Sequence, residues 1–493
     1  MLFLSIAILS LWFDVSIQTF MDPLWKDSWH LRNDNISMNI QDAWSRGLSG
    51  KGVRVLFLDD GIDRYHPDLY TNYKPELSYD FVDNDDDPIW NRTLKNSHGT
   101  KMSGIVGSEG NNSFCGLGIA FHAQLGMARI FNKNVRFEHL NVVRALTYKK
   151  DLIDIYTIAV GPQNMGVTLD NVPEEINEAL KETENGRGGK GSVVLLAVGN
   201  GGANNEACSF GSNVQSIHTI AVNAVGEGGD IPDYAEPCGA VMTSAFGSSK
   251  PRGRGIVTTT VGGNCVGNFS GTSSSTAVAT GVIALVLEAN PNLTWRDVQH
   301  LVMSSVVDRD VLDDKANWKR NAAGIYFSEF FGFGLMDAGL MTRRANEWIQ
   351  VPTQIICEYK DPQENKIISE EVVELSLSTD SCDIQYLEHV QLQFTAYSLC
   401  RGNINLRLES PSGTLSNILR GRETDFSTTG FNDWRLLSLQ YWGESSKGKW
   451  RLRVFKSPCI NRAAKIIAFK SWKLILYGTK EMPASLPISN NNH

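Results

Sequence analysis

Three short segments of this chain are almost wholly apolar: Val53–Leu58 (VRVLFL), Asp154–Val160 (DIYTIAV) and Val193–Val198 (VVLLAV). A strand with one wet face alternates apolar and polar residues. Runs without alternation must be covered on both faces, which is the condition of a parallel sheet packed between helices. Helical stretches such as Val172–Thr183 and Thr276–Ala289 lie between and after these runs. The alternation predicts an α/β fold: a doubly wound, mainly parallel sheet. From about Val351 the texture changes. Leu387–Phe394, Ile404–Leu408, Trp450–Phe455 and Trp472–Tyr477 are short alternating strands, separated by turn residues such as Ser410-Pro411-Ser412-Gly413. They predict a second, all-β domain of sandwich or barrel type, with the linker near Ile349–Thr353.

Composition narrows the classes. At about 150 residues per domain, 493 residues allow two or three units. An apolar content of 42% with 20% charged residues excludes fibrous and disordered chains. The net charge of −8 argues against a nucleic-acid binder. Leu2–Phe13 is read as the one long apolar run; it is too short to cross a bilayer and has the length of a signal-peptide core. Eight cysteines without a Cys-x-x-Cys pair read as four disulfides: Cys115, Cys208, Cys238, Cys265, Cys357, Cys382, Cys400 and Cys459. Asn-x-Ser/Thr triplets stand at Asn35, Asn91, Asn111, Asn268 and Asn292. Together these features point to the secretory pathway or secretion.

Four polar residues sit where an open α/β sheet places its chemistry, beyond the carboxyl ends of strands. Asp59 ends the first apolar run, and Asn200 follows VVLLAV within Gly199-Asn200-Gly201-Gly202. His98 opens a helix, and Ser273 lies just before the helix expected from Thr276. Singly, each reads as a cap or a loop residue. Together they fit acyl transfer: Ser273 as nucleophile, His98 as general base, Asp59 to orient the imidazole, and Asn200 to donate to the oxyanion. The chain order Asp, His, Ser is that of subtilisin-type hydrolases. No Gly-x-Ser-x-Gly elbow surrounds Ser273, which excludes a lipase.

Longer motifs carry a specific resemblance. Leu58-Asp59-Asp60-Gly61-Ile62, His66-Pro67-Asp68-Leu69, Ser97-His98-Gly99-Thr100, Gly186-Arg187-Gly188-Gly189, Gly199-Asn200-Gly201-Gly202 and Gly271-Thr272-Ser273 resemble the kexin/furin proprotein convertases. Phe431-Asn432-Asp433-Trp434 and Leu476-Tyr477-Gly478-Thr479 resemble their P domain. The resemblance implies a subtilisin-like catalytic domain over 22–348, a jelly-roll-type P domain over 354–480 and a tail over 481–493. It implies a calcium-dependent serine endopeptidase acting on precursor proteins. It also implies a propeptide, for which the 21 residues before Asp22, read as the signal, leave no room; a propeptide or inhibitor supplied in trans is an open partner. No nucleic-acid partner and no transmembrane anchor are expected.

The acidic run Asp83-Asn84-Asp85-Asp86-Asp87 clusters hard oxygen ligands of the kind calcium takes. By the resemblance, Asp80, Asp85 and Asp87 form one calcium set. Asp22, Asp68 and Asn112, with carbonyls near Glu109, Phe114 and Gly116, form another. Asn164, Glu206 and Glu236 match a third set under the specificity pocket, where an amide replaces the usual first carboxylate. The resemblance also implies the pairs Cys115–Cys265, Cys208–Cys238 and Cys357–Cys382, leaving Cys400 and Cys459 for an extra bridge.

The chain departs from the family in its subsites. Convertases line them with acids, because a substrate Arg buried without a partner costs several kcal/mol. Here the pocket loop reads Gly161-Pro162-Gln163-Asn164, the opposite wall carries Gly211, and Lys95 precedes Asn96-Ser97-His98. Asp60 and Asp170 remain. Met102 and Ala277 replace a family Cys and Pro without removing a catalytic group. The expectation is an active endopeptidase with a weakened or altered dibasic preference. The alternative is a degenerate convertase homologue that binds without cutting.

Overall fold

The structure is a computed structural model describing residues 20–32, 36–89, 97–131, 138–160, 169, 173–211, 213–248, 253–362, 365–457 and 466–486. Seven parallel strands form the central sheet: β1 (Arg54–Asp59), β2 (Tyr79–Asp80), β3 (Gln124–Arg129), β4 (Ile155–Ile158), β5 (Val193–Ala197), β6 (Thr219–Val225) and β7 (Val241–Phe246). Their order is β2-β3-β1-β4-β5-β6-β7. The chain leaves β1 toward one edge and later returns to build the other, so the topological switch lies between β1 and β4, the place where such sheets bind ligands.

The unbroken apolar strands have a direct explanation. Val55 and Phe57 point into one core with Val193 and Leu195. Leu56 and Leu58 point into the opposite core with Val194 and Leu196. Both faces are dry, so polar residues enter the strands only where they find a partner, as Thr157 does in Thr280 at 2.9 Å. Two helices cover the first face, His98–Gly107 and Thr272–Ala289. The second has 18 residues, is long and apolar enough to span a bilayer, and has 89% of that length buried in the fold. It corrects the reading of Leu2–Phe13 as the one long apolar run; that segment itself lies outside the described residues.

The same helix corrects a boundary. It begins at Thr272, not Thr276, so Ser273 lies inside its first turn. The run Thr272-Ser273-Ser274-Ser275-Thr276 reads as loop because hydroxyls compete with helical hydrogen bonds. Here the hydroxyls are satisfied within the turn: Ser274 donates to the Gly271 carbonyl (2.8 Å), and Ser275 and Thr276 donate to that of Thr272 (2.9 and 2.7 Å).

The carboxyl-terminal part is built from two antiparallel sheets. One joins Ile355–Lys360, Ile467–Thr479, Tyr386–Ser398 and Phe431–Ser438, with Lys366–Ile368 added to Ile467–Thr479. The other runs Val372–Ser378, Lys449–Lys456, Ile404–Glu409 and Leu415–Leu419. Alternating side chains such as Leu406, Leu408, Leu452 and Val454 fill the core between them. The two parts interlock. Leu437, Leu439 and Trp442 join the core of the α/β part, while Ala207 and Phe210 join the β core. Disulfides link Cys115–Cys265, Cys208–Cys238 and Cys357–Cys382. Cys400 is also disulfide-bonded, and Cys459 lies outside the described residues.

Candidate active site

The switch point collects the four residues. Asp59 is the last residue of β1 and is buried. Its carboxylate lies 2.8 and 2.9 Å from Nδ1 of His98, the first residue of the His98–Gly107 helix. The close fit of helix to strand needs Gly99: a Cβ there would stand 2.4 Å from the Gly61 carbonyl oxygen and 3.1 Å from the Asp59 Cβ. Phe269 packs edge-on against the imidazole at 5.6 Å. Burial pulls the His98 imidazole down, but the Asp59 carboxylate, reinforced by Asp60, outweighs it and holds the ring above its ordinary value. The His98 side chain remains 29% exposed, so its far nitrogen stays reachable.

Ser273 enters from the adjoining helix, whose N-cap is Gly271 at φ +94°. That backbone conformation suits glycine alone, and the Asn200 amide packs on it. The Ser273 hydroxyl donates to the carbonyl of Ala159, just past β4, at 3.0 Å. The expected pairing with His98 is therefore not made in this state. Resting sites often show loose nucleophile contacts that tighten with substrate. Asn200 is exposed in the loop after β5, and its Oδ1 accepts from the Thr272 N–H at 2.8 Å and the Thr272 hydroxyl at 3.1 Å. With the oxygen fixed, the amide N–H₂ is turned outward as a donor. Sequence reasoning missed Ala159, Phe269 and Thr272. Ala159 acts through its backbone, which no side-chain pattern reveals.

Asp60 is buried and accepts from the N–H groups of His98 (3.1 Å) and Gly99 (2.8 Å), capping the helix from outside it. Burial first, then the neighbouring Asp59, pushes Asp60 up to about 7. Gly211 lies at the end of the Cys208–Phe210 turn with no carboxylate to offer. Gly161, Asn164, Asp170, Lys95, Asn35 and Asn91 lie outside the described residues.

Among the described residues no three His, Cys, Asp or Glu side chains converge as a ready metal cage. The calcium sets therefore differ in fit. At Asp68, one carboxylate oxygen accepts from Asn112 (2.9 Å) while the other is buried without a partner. Burial, with Asp22 and Glu109 nearby, pushes Asp68 up to about 6. Among the described residues, the carbonyls of Glu109, Phe114 and Gly116 accept no backbone N–H. An orphaned buried oxygen in a negative surround fits a hard cation. Asp80, Asp85 and Asp87 fit less well. Asp80 is satisfied by the N–H groups of Val82 and Asp83 and by Arg129; Asp87 pairs with Arg64 at 3.0 Å through one oxygen, and its other oxygen is buried with no partner among the described residues. Glu206 and Glu236 do not fit a resident cation, because Glu206 already pairs with Arg422 at 3.2 Å and Glu236 accepts from the Gly201 N–H at 2.7 Å.

Comparison with known proteins places both parts of the chain in described families. The subtilase family model matches residues 50–334, and the proprotein convertase P-domain model matches residues 387–476. Endoprotease bli-4 of Caenorhabditis elegans is 39% identical over 474 residues, 94% of this chain and 50% of that protein. Proprotein convertase subtilisin/kexin type 5 of Homo sapiens is 38% identical over 483 residues, 94% of this chain and 26% of its own length. The chain thus spans about half the length of the first of these relatives, and less of the second. The serine protease of Aeromonas sobria, solved with its chaperone, superposes with a TM-score of 0.81 over 95% of this chain and 98% of its own at 21% identity, a likeness of fold. A subtilase model across the α/β part, a P-domain model across the β part and relatives aligned through both establish that the chain belongs to the subtilase family, in its branch of furin- and kexin-like proprotein convertases.

Proposed function

We propose that this chain is a serine endopeptidase that cleaves precursor proteins in the secretory pathway. The observation that carries the reading is the Asp59–His98 pair at 2.8 Å, on a helix that packs beside the one whose first turn holds Ser273. Ser273 leaves the Ala159 carbonyl, gives its proton to Nε2 of His98, and its Oγ attacks the scissile carbonyl. Asp59 accepts from Nδ1–H and stabilises the imidazolium that forms. The Asn200 amide donates to the oxyanion, a contribution worth about 10²–10³ in rate. The imidazolium then protonates the leaving amine, and water, deprotonated by His98, releases the acyl group from Ser273. Bound cation at Asp22, Asp68 and Asn112 would neutralise the buried Asp68 charge and stiffen the loop 109–116. The disulfides suit an oxidising compartment.

Its preference for dibasic sites is weakened or altered. The support is the wall at Gly211, which has no carboxylate, and the commitment of Asp60 to the helix N–H groups. Labelling by a serine-reactive phosphonate tests the activity. The label is expected on wild-type chain with calcium, and is expected to disappear with a chelator or in Ser273→Ala. A folded, calcium-loaded chain that takes no label would be a non-cutting binding homologue, and the protease reading would fall.

A further inference from the structure

The loop that carries Asn200 rests on a buried charge network that crosses from the β domain. Arg422 and Asp425 are almost wholly buried. The Arg422 guanidinium pairs with Glu206 at 3.2 Å and with Asp425 at 2.5 Å. It also lies over the Phe210 ring at 3.8 Å. Asp425 in turn holds Arg401 at 2.8 Å. On the other side, Glu236 accepts from the Gly201 N–H. The space a Gly199 Cβ would need is filled by the same carboxylate, at 2.3 Å from Oε1. Asn200 stands between these two glycines. The segment after Glu206 is gripped by the β domain as well: Trp434 donates to the Ser209 carbonyl at 3.1 Å, and Gln391 donates to that of Gln215 at 2.7 Å.

We infer that Arg422 is a positioning residue for the hydrolytic site: as the cation beneath the loop, it balances Glu206 and Glu236 and so fixes the Gly199–Gly202 backbone that aims Asn200. Two carboxylates brought together in a dry site repel unless a cation is present. The guanidinium supplies that cation from within the chain, and the stack on Phe210 fixes its plane. Among the described residues Arg401 and Arg422 both pair with Asp425, Arg422 also pairs with Glu206, and Glu206 and Glu236 press together against Gly201. The β domain is thereby part of the site's machinery.

The inference rests on Asn200 acting as the oxyanion donor, so the test has an arm that needs no turnover. Amide hydrogen exchange of segment 199–206 in the full chain reads loop order directly. Arg422→Gln is expected to raise that exchange about tenfold or more, and to lower kcat about tenfold with KM within about threefold of wild type. Arg422→Lys keeps the charge and is expected to stay within about threefold on both readouts. Arg422→Gln with Glu206→Gln removes cation and carboxylate together and is expected to recover exchange protection. Arg420→Gln breaks another junction pair, Arg420 with Glu329, and is expected to leave segment 199–206 unchanged. Unchanged exchange in Arg422→Gln would overturn the inference. So would an equal rise in Arg420→Gln, or a lysine variant as loose as the glutamine one. A chain that hydrolyses nothing yet loosens at 199–206 in Arg422→Gln would sink the protease reading while leaving the role of Arg422 in the loop intact.

Discussion

The proton on His98 is governed by two carboxylates with different duties. Asp59 meets Nδ1, while Asp60 holds the helix N–H groups and adds its charge from nearby. General base catalysis needs the neutral imidazole, so on the proposed mechanism activity is expected to rise with pH through the His98 titration. Asp60→Asn removes one negative charge that favours the imidazolium. The acid limb of kcat/KM is therefore expected to move to lower pH, read from a pH–rate profile. Stability follows the same group with its own sign. The folded chain holds the Asp60 proton to higher pH than the unfolded chain does, so this group's own contribution to stability is lost as pH rises from 3.8 toward about 7, and the asparagine variant lacks that loss. At Gly211 the expectation concerns substrate. The backbone is at φ −103°, and a Cβ there would meet nothing closer than the Cys208 carbonyl oxygen at 3.7 Å. Gly211→Asp is expected to fold and to raise the preference for Arg over neutral P1 residues at least about tenfold, or about 1.4 kcal/mol. A peptide library that shows no gain for Arg would refute this pocket assignment.

At the scale of elements, two helix starts and one strand end make the site. The sheet delivers Asp59 because β1 stops at the switch point, and the helices deliver His98 and Ser273 by their first turns. These starts are held by close approaches, so small changes should propagate. Gly99→Ala would drive a methyl into the Gly61 carbonyl and Met127, 2.4 and 2.8 Å away. The expected cost is about 1–3 kcal/mol of stability. The expected fall in kcat/KM is about 10²-fold from misplacing His98. Thermal unfolding and steady-state kinetics check the two, and an unaltered kcat/KM would show that the helix has room to shift.

At the scale of the molecule, the β domain is bound to the α/β part through charge as well as apolar packing. Glu388 is buried against Arg296 and sits 2.9 Å from His300, both on the Trp295–Ser304 helix. Burial alone would raise this carboxyl, but His300 and Arg296 outweigh it and hold it well below the usual range. Its stabilising contribution is therefore present above the ordinary carboxylate value of 4.5 and is lost as pH falls below it. Glu388→Gln is expected to cost about 3–5 kcal/mol, because it removes the buried carboxylate that pairs with the half-buried Arg296 guanidinium. Differential scanning calorimetry of the full chain would show it as a lower Tm with a weaker acid dependence; an unchanged Tm would mean that the junction does not depend on this pair.

The sequence by itself determined the layers and picked out the candidates for the chemistry. Short unbroken apolar runs bounded by turn residues fit strands covered on both faces, and Asp59, His98, Asn200 and Ser273 each stand at the edge of an element whose pattern is local. It misplaced the start of the Ser273 helix, because five consecutive hydroxyl residues look like loop until their donors are seen returning to the same turn. Only the tertiary structure decided that the Ser273 hydroxyl rests on the Ala159 carbonyl and that Asp60 caps the His98 helix. It also decided that Arg422 reaches Glu206 across 216 residues of chain. Patterns of period two and 3.6 record which face of an element is dry. They hold no record of which distant charge that face will meet, since that follows from packing the two domains together.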